Sequence, residues 1–186
     1  FLTDEWMVDV ATDYPGKCVL IGLAASVIER AVFPERPAFF ASGGKRGSGK
    51  TTVINMISMA VFGRRAAASA WSASEEERRK ALFAHLGEGI ALLVWDNIPR
   101  GTAIACASIE KALTAETYQD RILGLSENRV VPASTIQVFT GNNITPRGDM
   151  ASRSLTIRLS VDRPDPEDRP FKHLDPLAWT EANRGA

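Results

Sequence analysis

One stretch limits the folds open to this chain more than any other: Gly44-Lys45-Arg46-Gly47-Ser48-Gly49-Lys50-Thr51. Its G-x-x-x-x-G-K-[ST] spacing lets the backbone curl tightly, so that successive N–H groups converge where a polyphosphate fits. Before it stands the apolar run Ala38-Phe39-Phe40-Ala41, which predicts a buried strand. After it, residues 52–62 are apolar on nearly all sides (Val53, Ile54, Met56, Ile57, Met59, Val61, Phe62), which predicts a buried helix. Strand, glycine loop and buried helix in that order predict an α/β P-loop NTPase with a central, mostly parallel sheet flanked by helices. Residues 44–51 and Thr52 are then the nucleotide-binding candidates. Lys50 is expected to reach the β- and γ-phosphates of ATP, and the Thr51 hydroxyl to join the Mg²⁺ shell.

Asp96 supplies the second half of such a site. It directly follows the continuous apolar run 90–95, which reads as a central parallel strand. An acidic residue at that place, downstream of a P-loop, suits a Mg²⁺ held largely through water and phosphate. Asn97 departs from expectation, because many ATPases place a glutamate there to polarise the attacking water. An amide orients water but accepts no proton, so hydrolysis is expected to be slow or to borrow a carboxylate from Glu110 or Glu116. Asn142 and Asn143 end another strand, 134–140, where ligands gather beyond the carboxyl edge of a parallel sheet. They are the candidate γ-phosphate sensors, Asn142 ahead of Asn143.

Charge and cysteine content narrow the setting. Lys+Arg and Asp+Glu balance at 22 each over 186 residues, so no global basic field draws the chain to nucleic acid. Any such contact must come from local patches or from a ring that concentrates them. Cys18 and Cys106 lie in no metal or redox spacing, which fits free thiols in a reducing compartment. No run is long enough to span a bilayer and no targeting segment is evident. The expected location is therefore the cytoplasm. A chain beginning at Phe1 is expected to be an excised piece of something longer.

Three regions are expected: a lead-in and helix over 1–33, an ATPase core over 34–161, and a Pro- and charge-rich arm or linker over 162–186. Pro15-Gly16 reads as a break before a helix over 17–32 that Pro34 and Pro37 stop. Ser74 and Glu77 form a capping box for a helix whose Glu75/Arg79 and Glu76/Lys80 pairs are spaced for ion pairing. Further elements are a strand in 66–71, a helix over 102–115, a hairpin over 121–132 with its turn at Ser126-Glu127-Asn128, and a half-covered edge strand over 154–160.

In order, these motifs resemble the superfamily 3 helicase module, an AAA+-type ATPase of virus, phage and plasmid replication proteins. The similarity spans roughly residues 35–160. The stretch from Lys111-Ala112-Leu113-Thr114 through the hairpin resembles the family's B′ motif. Gly141-Asn142-Asn143 resembles its motif C, and 148–154, Gly-Asp-Met-Ala-Ser-Arg-Ser, resembles the segment that carries the arginine finger in helicase–primase relatives. The resemblance implies a homo-oligomeric ring, a hexamer, with ATP between subunits. Arg153 would reach the neighbour's ATP, with Arg158 in reserve, and Arg129, Lys111 and Arg121 would contact single-stranded DNA in the channel. A plain surface ion pair between Arg153 and Asp149 is the simpler alternative. Beside this motor stand two other classes. One is an ATP-binding switch with slow hydrolysis. The other is a small-molecule kinase, for which neither an acceptor pocket nor a basic lid is evident.

Overall fold

Residues 38–43 are buried along their whole length, which explains an apolar sequence without polar alternation. The structure, a computed structural model, describes residues 1–121, 127–161 and 165–185. A π-helical turn (Leu2–Trp6) leads to α1 (Tyr14–Glu29), β1 (Ala38–Gly43), α2 (Lys50–Phe62), β2 (Ala67–Ala70), α3 (Glu75–Gly87) and β3 (Leu92–Ile98). Then come β4 (Ala103–Ile104), α4 (Ala107–Thr114), β5 (Thr117–Arg121), β6 (Asn128–Pro132), β7 (Ile136–Asn142), β8 (Thr145–Pro146), α5 (Asp149–Ser152), β9 (Ser154–Leu159) and α6 (Pro176–Ala182).

Five strands form one parallel sheet in the order β2-β3-β7-β1-β9. Period-two alternation sorts each central strand into two cores. Ala38, Phe40, Leu93, Trp95 and Phe139 face α3, α4 and the β5–β6 pair. Phe39, Ala41, Leu92, Val94 and Val138 face α1, α2 and the lead-in. An aromatic cluster knits the first core: Phe40 stacks on Phe139 at 4.7 Å, and Trp71 sits edge-on to Trp95 at 5.9 Å. The buried Trp95 indole donates to Gln137 Oε1 at 2.9 Å, which satisfies both of those atoms, while Gln137 Nε2 is buried without a hydrogen-bond partner.

Several boundaries differ from the sequence expectation, each for a local reason. α1 starts at Tyr14, because Pro15 occupies a first-turn position that needs no N–H, while the Asp13 carboxylate caps Gly16 N at 2.9 Å. The helix expected over 102–115 is α4 alone; Ala103 and Ile104 instead pair with Thr145 and Pro146. Lys80 pairs with Glu76 as spaced, but Arg79 turns away from its own helix to Asp120 on β5. The hairpin strands begin earlier, at Thr117, and pair antiparallel. Ile122, Leu123 and Ser126 of the expected hairpin lie outside the described residues, as do Asp162, Arg163 and Pro164 of the arm.

The arm is not merely a linker. It contains a 3₁₀ turn (Pro166–Asp168) and α6, which packs on α2. Leu177 and Trp179 add to the second core, and Trp6 Nε1 donates to Thr180 Oγ1 at 3.0 Å. Apolar residues spaced along 171–179 can bury a face that charge counting alone hides.

Candidate functional site

The sheet order creates the site. The chain runs from β1 outward to β2 and returns through β3 and β7, then crosses β1 to form β9. The connections that leave the neighbouring strands β1 and β7 therefore run in opposite directions across the sheet, and the crevice opens at their carboxyl ends. The glycine loop emerges there. Gly47 (φ 73°) and Gly49 (φ 89°) take left-handed backbone that side-chain-bearing residues disfavour. Gly49 precedes α2 and has no side chain to cap it, so the first-turn N–H groups remain for an outside acceptor.

Lys50 reaches back across the loop. Its ammonium donates to Lys45 O at 3.0 Å, Ser48 Oγ at 3.0 Å and Asn142 Oδ1 at 2.8 Å. Partial burial lowers its pKa from lysine's ordinary 10.5, against an opposing pull from Asp96. Asn142 arrives by register, because Gly43 lies beside Asn142 in the β1–β7 ladder. Asn143 is exposed in left-handed backbone (φ 53°) and donates its N–H to Gly43 O at 3.1 Å. It faces a neighbouring cavity with Gly44 and Arg158.

Asp96 and Asn97 sit on a bulge. Two residues of β3 between Trp95 and Ile98 oppose the single Thr140 of β7. The bulge holds Asn97 at φ 59°, a conformation asparagine tolerates better than most residues. It also leaves the Asp96 carboxylate accepting from Thr140 Oγ1 at 2.6 Å. Thr140 is the residue that motif matching passed over. Its signal was positional: it comes just before the Gly-Asn that ends the strand next to β3.

A cavity of about 690 Å³ brings together Arg46, Lys50, Thr51, Asp96, Asn97 and Asn142, along with Gly47, Ser48, Gly49 and Thr52 of the loop. Among the described residues no cluster of three or more His, Cys, Asp or Glu could hold a metal alone. One carboxylate and one hydroxyl on a shared cavity suit a Mg²⁺ that brings most of its ligands as phosphate and water. Neither Glu110 nor Glu116 lines this cavity. Glu116 acts electrostatically on Arg36, whose N–H bonds Leu113 O at the opposite end of the sheet.

The two arginines fall at opposite sheet ends. Arg153 precedes β9, and its carbonyl accepts from Ala38 N at 2.9 Å. That places it five strand steps from Gly43, roughly 17 Å from the loop of the same chain. Its guanidinium lies 4.0 Å from Asp149, the ion pair its spacing suggests. Arg158 pairs by register with Ser42, near its own loop. On the hairpin, Arg129 is exposed opposite Asp120, and Arg121 is exposed opposite Asn128. Lys111 lies on α4 with its ammonium 4.9 Å over the Tyr118 ring. The three are not part of the cavity at the glycine loop.

No family profile matches the chain and no curated protein matches its sequence. Among solved structures, a crystal structure of the JCV helicase with a bound thiazolopyridine acetamide superposes with a TM-score of 0.51 at 13% identity. The match covers 86% of this chain and 46% of that one, so the chain spans less than half the helicase's length. The likeness is one of fold. Among the described residues no helix is long and apolar enough to cross a membrane.

Proposed function

We propose that this chain is the ATPase motor of a ring-forming DNA helicase or translocase of the superfamily 3 type, from a mobile-element replication protein. The observation that carries the reading is the Lys50–Asn142 contact of 2.8 Å at the carboxyl edge of β1 and β7, with Asp96 on the same cavity. It brings together three segments far apart in sequence, which this reading takes as phosphate loop, sensor and metal carboxylate. The helicase-like fold supports it independently.

In this reading the loop N–H groups and Lys50 bind the triphosphate, and Asn142 exchanges its lysine partner for the γ-phosphate or its attacking water. Thr51 and Asp96 would hold the Mg²⁺, which neutralises charge on the β- and γ-oxygens. Thr140 keeps Asp96 oriented. Because Arg153 is at the far end of its own sheet, it completes a neighbour's site. An arginine supplied in trans is worth ~10³–10⁵ in rate. Arg129, Lys111 and Arg121 are the candidates that touch single-stranded DNA, through phosphates.

ATPase assays on Arg153→Ala mixed with unaltered chains test this. Activity should fall faster than dilution alone, and single-stranded DNA should stimulate the unmixed protein. Loss in simple proportion to dilution counts against a shared site. A second reading, a slow ATP-dependent switch, is favoured by one observation: Asp96 is the sole carboxylate among the described residues that line the cavity. Single-turnover hydrolysis indifferent to DNA, with no unwinding, would select it.

A further inference from the structure

The side of the glycine loop away from Lys50 is covered by the two ends of the chain, fastened to each other. Arg169 Nη2 donates to Asp9 O at 2.8 Å. The Asp9 carboxylate accepts from Lys172 N and His173 N, each at 2.8 Å, and Lys172 Nζ pairs with Glu5 at 2.7 Å. Between this double strap and the loop lies a cavity of about 310 Å³. Trp6, Val53, Met56 and Phe171 give it apolar and aromatic walls, and Asp9, Glu167 and Arg169 are its charged lining, the Asp9 carboxylate being already engaged by Lys172 N and His173 N. It shares Gly47, Ser48, Gly49 and Thr52 with the 690 Å³ cavity of Lys50 and Asp96.

The chemistry of the two cavities is divided. The larger holds the ammonium, the metal carboxylate and the loop amides, and suits a polyanion. The smaller suits a flat, mostly apolar ring with a few polar edge atoms. With Asp9 held in the strap, the charged groups left to a ligand are one donor, Arg169, and one acceptor, Glu167. The Glu167 carboxylate lies close enough to Gly47 that a Cβ there would collide with it. Arg169 Nη2 is within 3.8 Å of where a Gly49 Cβ would stand, while Nη1 is buried without a hydrogen-bond partner. A buried donor left unpaired is disfavoured, and a ligand acceptor would relieve it once the guanidinium rotates.

We infer that this smaller cavity receives the nucleobase of the bound nucleotide, and that Arg169 and Glu167 select an adenine-type edge. Adenine presents a ring-nitrogen acceptor beside an amino donor, which complements one arginine N–H and one carboxylate. Inosine replaces the amino group with a carbonyl and meets Glu167 with like polarity. The inference rests on the proposal that the loop binds Mg-ATP. It assigns a recognition role to the segment that composition marks as a linker.

Calorimetric titration of the whole chain with Mg-ATP, Mg-ITP and base-free Mg-tripolyphosphate tests it. Mg-ATP should bind about tenfold tighter than either alternative. Arg169→Ala should weaken Mg-ATP about tenfold and leave tripolyphosphate unchanged. Arg169→Lys keeps a cation for the Asp9 carbonyl but loses the planar fork, and should show the same ATP-only loss if the alanine variant unfolds. Equal affinity for ATP and tripolyphosphate overturns base recognition and leaves the phosphate site standing. Equal weakening of both ligands by the Arg169 variants assigns it to phosphate or to the scaffold, and also overturns the inference. If the unaltered chain binds none of the three, the phosphate-loop proposal fails with it.

Discussion

Lys50 is held half-buried between Ser48 and Asn142, and that burial lowers its pKa from 10.5. The sign follows directly. On the proposed reading a bound polyphosphate would favour the charged ammonium, so nucleotide affinity should be full at neutral pH. It should decline as pH rises through the lowered pKa, earlier than an exposed lysine would allow. Titrating Mg-ATP affinity between neutral and strongly alkaline pH checks this, and Lys50→Arg should flatten the decline. Lys50→Ala should abolish binding at every pH. Asn97 gives a separate test, because its backbone is left-handed. Asn97→Gly should leave stability within about 1 kcal/mol, whereas β-branched Asn97→Val should cost ~1–3 kcal/mol by urea denaturation.

At the scale of elements, β1, β3 and β7 carry the site because each is buried on both faces and cannot shift register. Phe40 and Trp95 lock the register on the α3–α4 side. Phe40→Ala should destabilise the fold by ~3–5 kcal/mol, and the loss should extend to nucleotide binding, since β1 aims the loop. Leu155 on the outermost strand is 43% exposed, so Leu155→Ala should cost far less. Equal losses at the two positions would contradict this account. A hairpin closing at Pro132 was expected from the sequence, but neither its start at Thr117 nor its anchor was. Arg79 reaches Asp120 from α3, at a helical spacing that fits Glu75 equally well. Local spacing cannot choose between those partners, because the winner depends on where β5 packs.

On the scale of the whole molecule, the ends of the chain bind each other over α2 and the glycine loop. If they were loose tethers, altering their contacts would not move the melting temperature. Trp6 is only 8% exposed and bonds Thr180, so Trp6→Ala should lower stability by ~3–5 kcal/mol. At ~2–4 °C per kcal/mol for a chain of this size, thermal denaturation will register it clearly. Assembly belongs to the same scale. Negative-stain images with a non-hydrolysable ATP analogue and single-stranded DNA should show closed rings. Rings that persist in Arg153→Ala while hydrolysis is lost would separate the proposed catalytic role of Arg153 from assembly.

The strand–loop–helix around residues 44–51, the Asp96 position and the Asn142 terminus were all legible in sequence. Glycine spacing and unbroken apolar runs are local signals that backbone conformation and double-sided burial impose directly. Folding alone brought Thr140 to Asp96, separated Arg153 from its own loop by a strand length, and set Arg169 and Glu167 beside Gly47 and Gly49. Those juxtapositions arise from strand order, a bulge and the docking of chain ends more than 150 residues apart in sequence. Nothing in the spacing of residues along the chain encodes such long-range closure; the burial of two apolar surfaces against each other decides it.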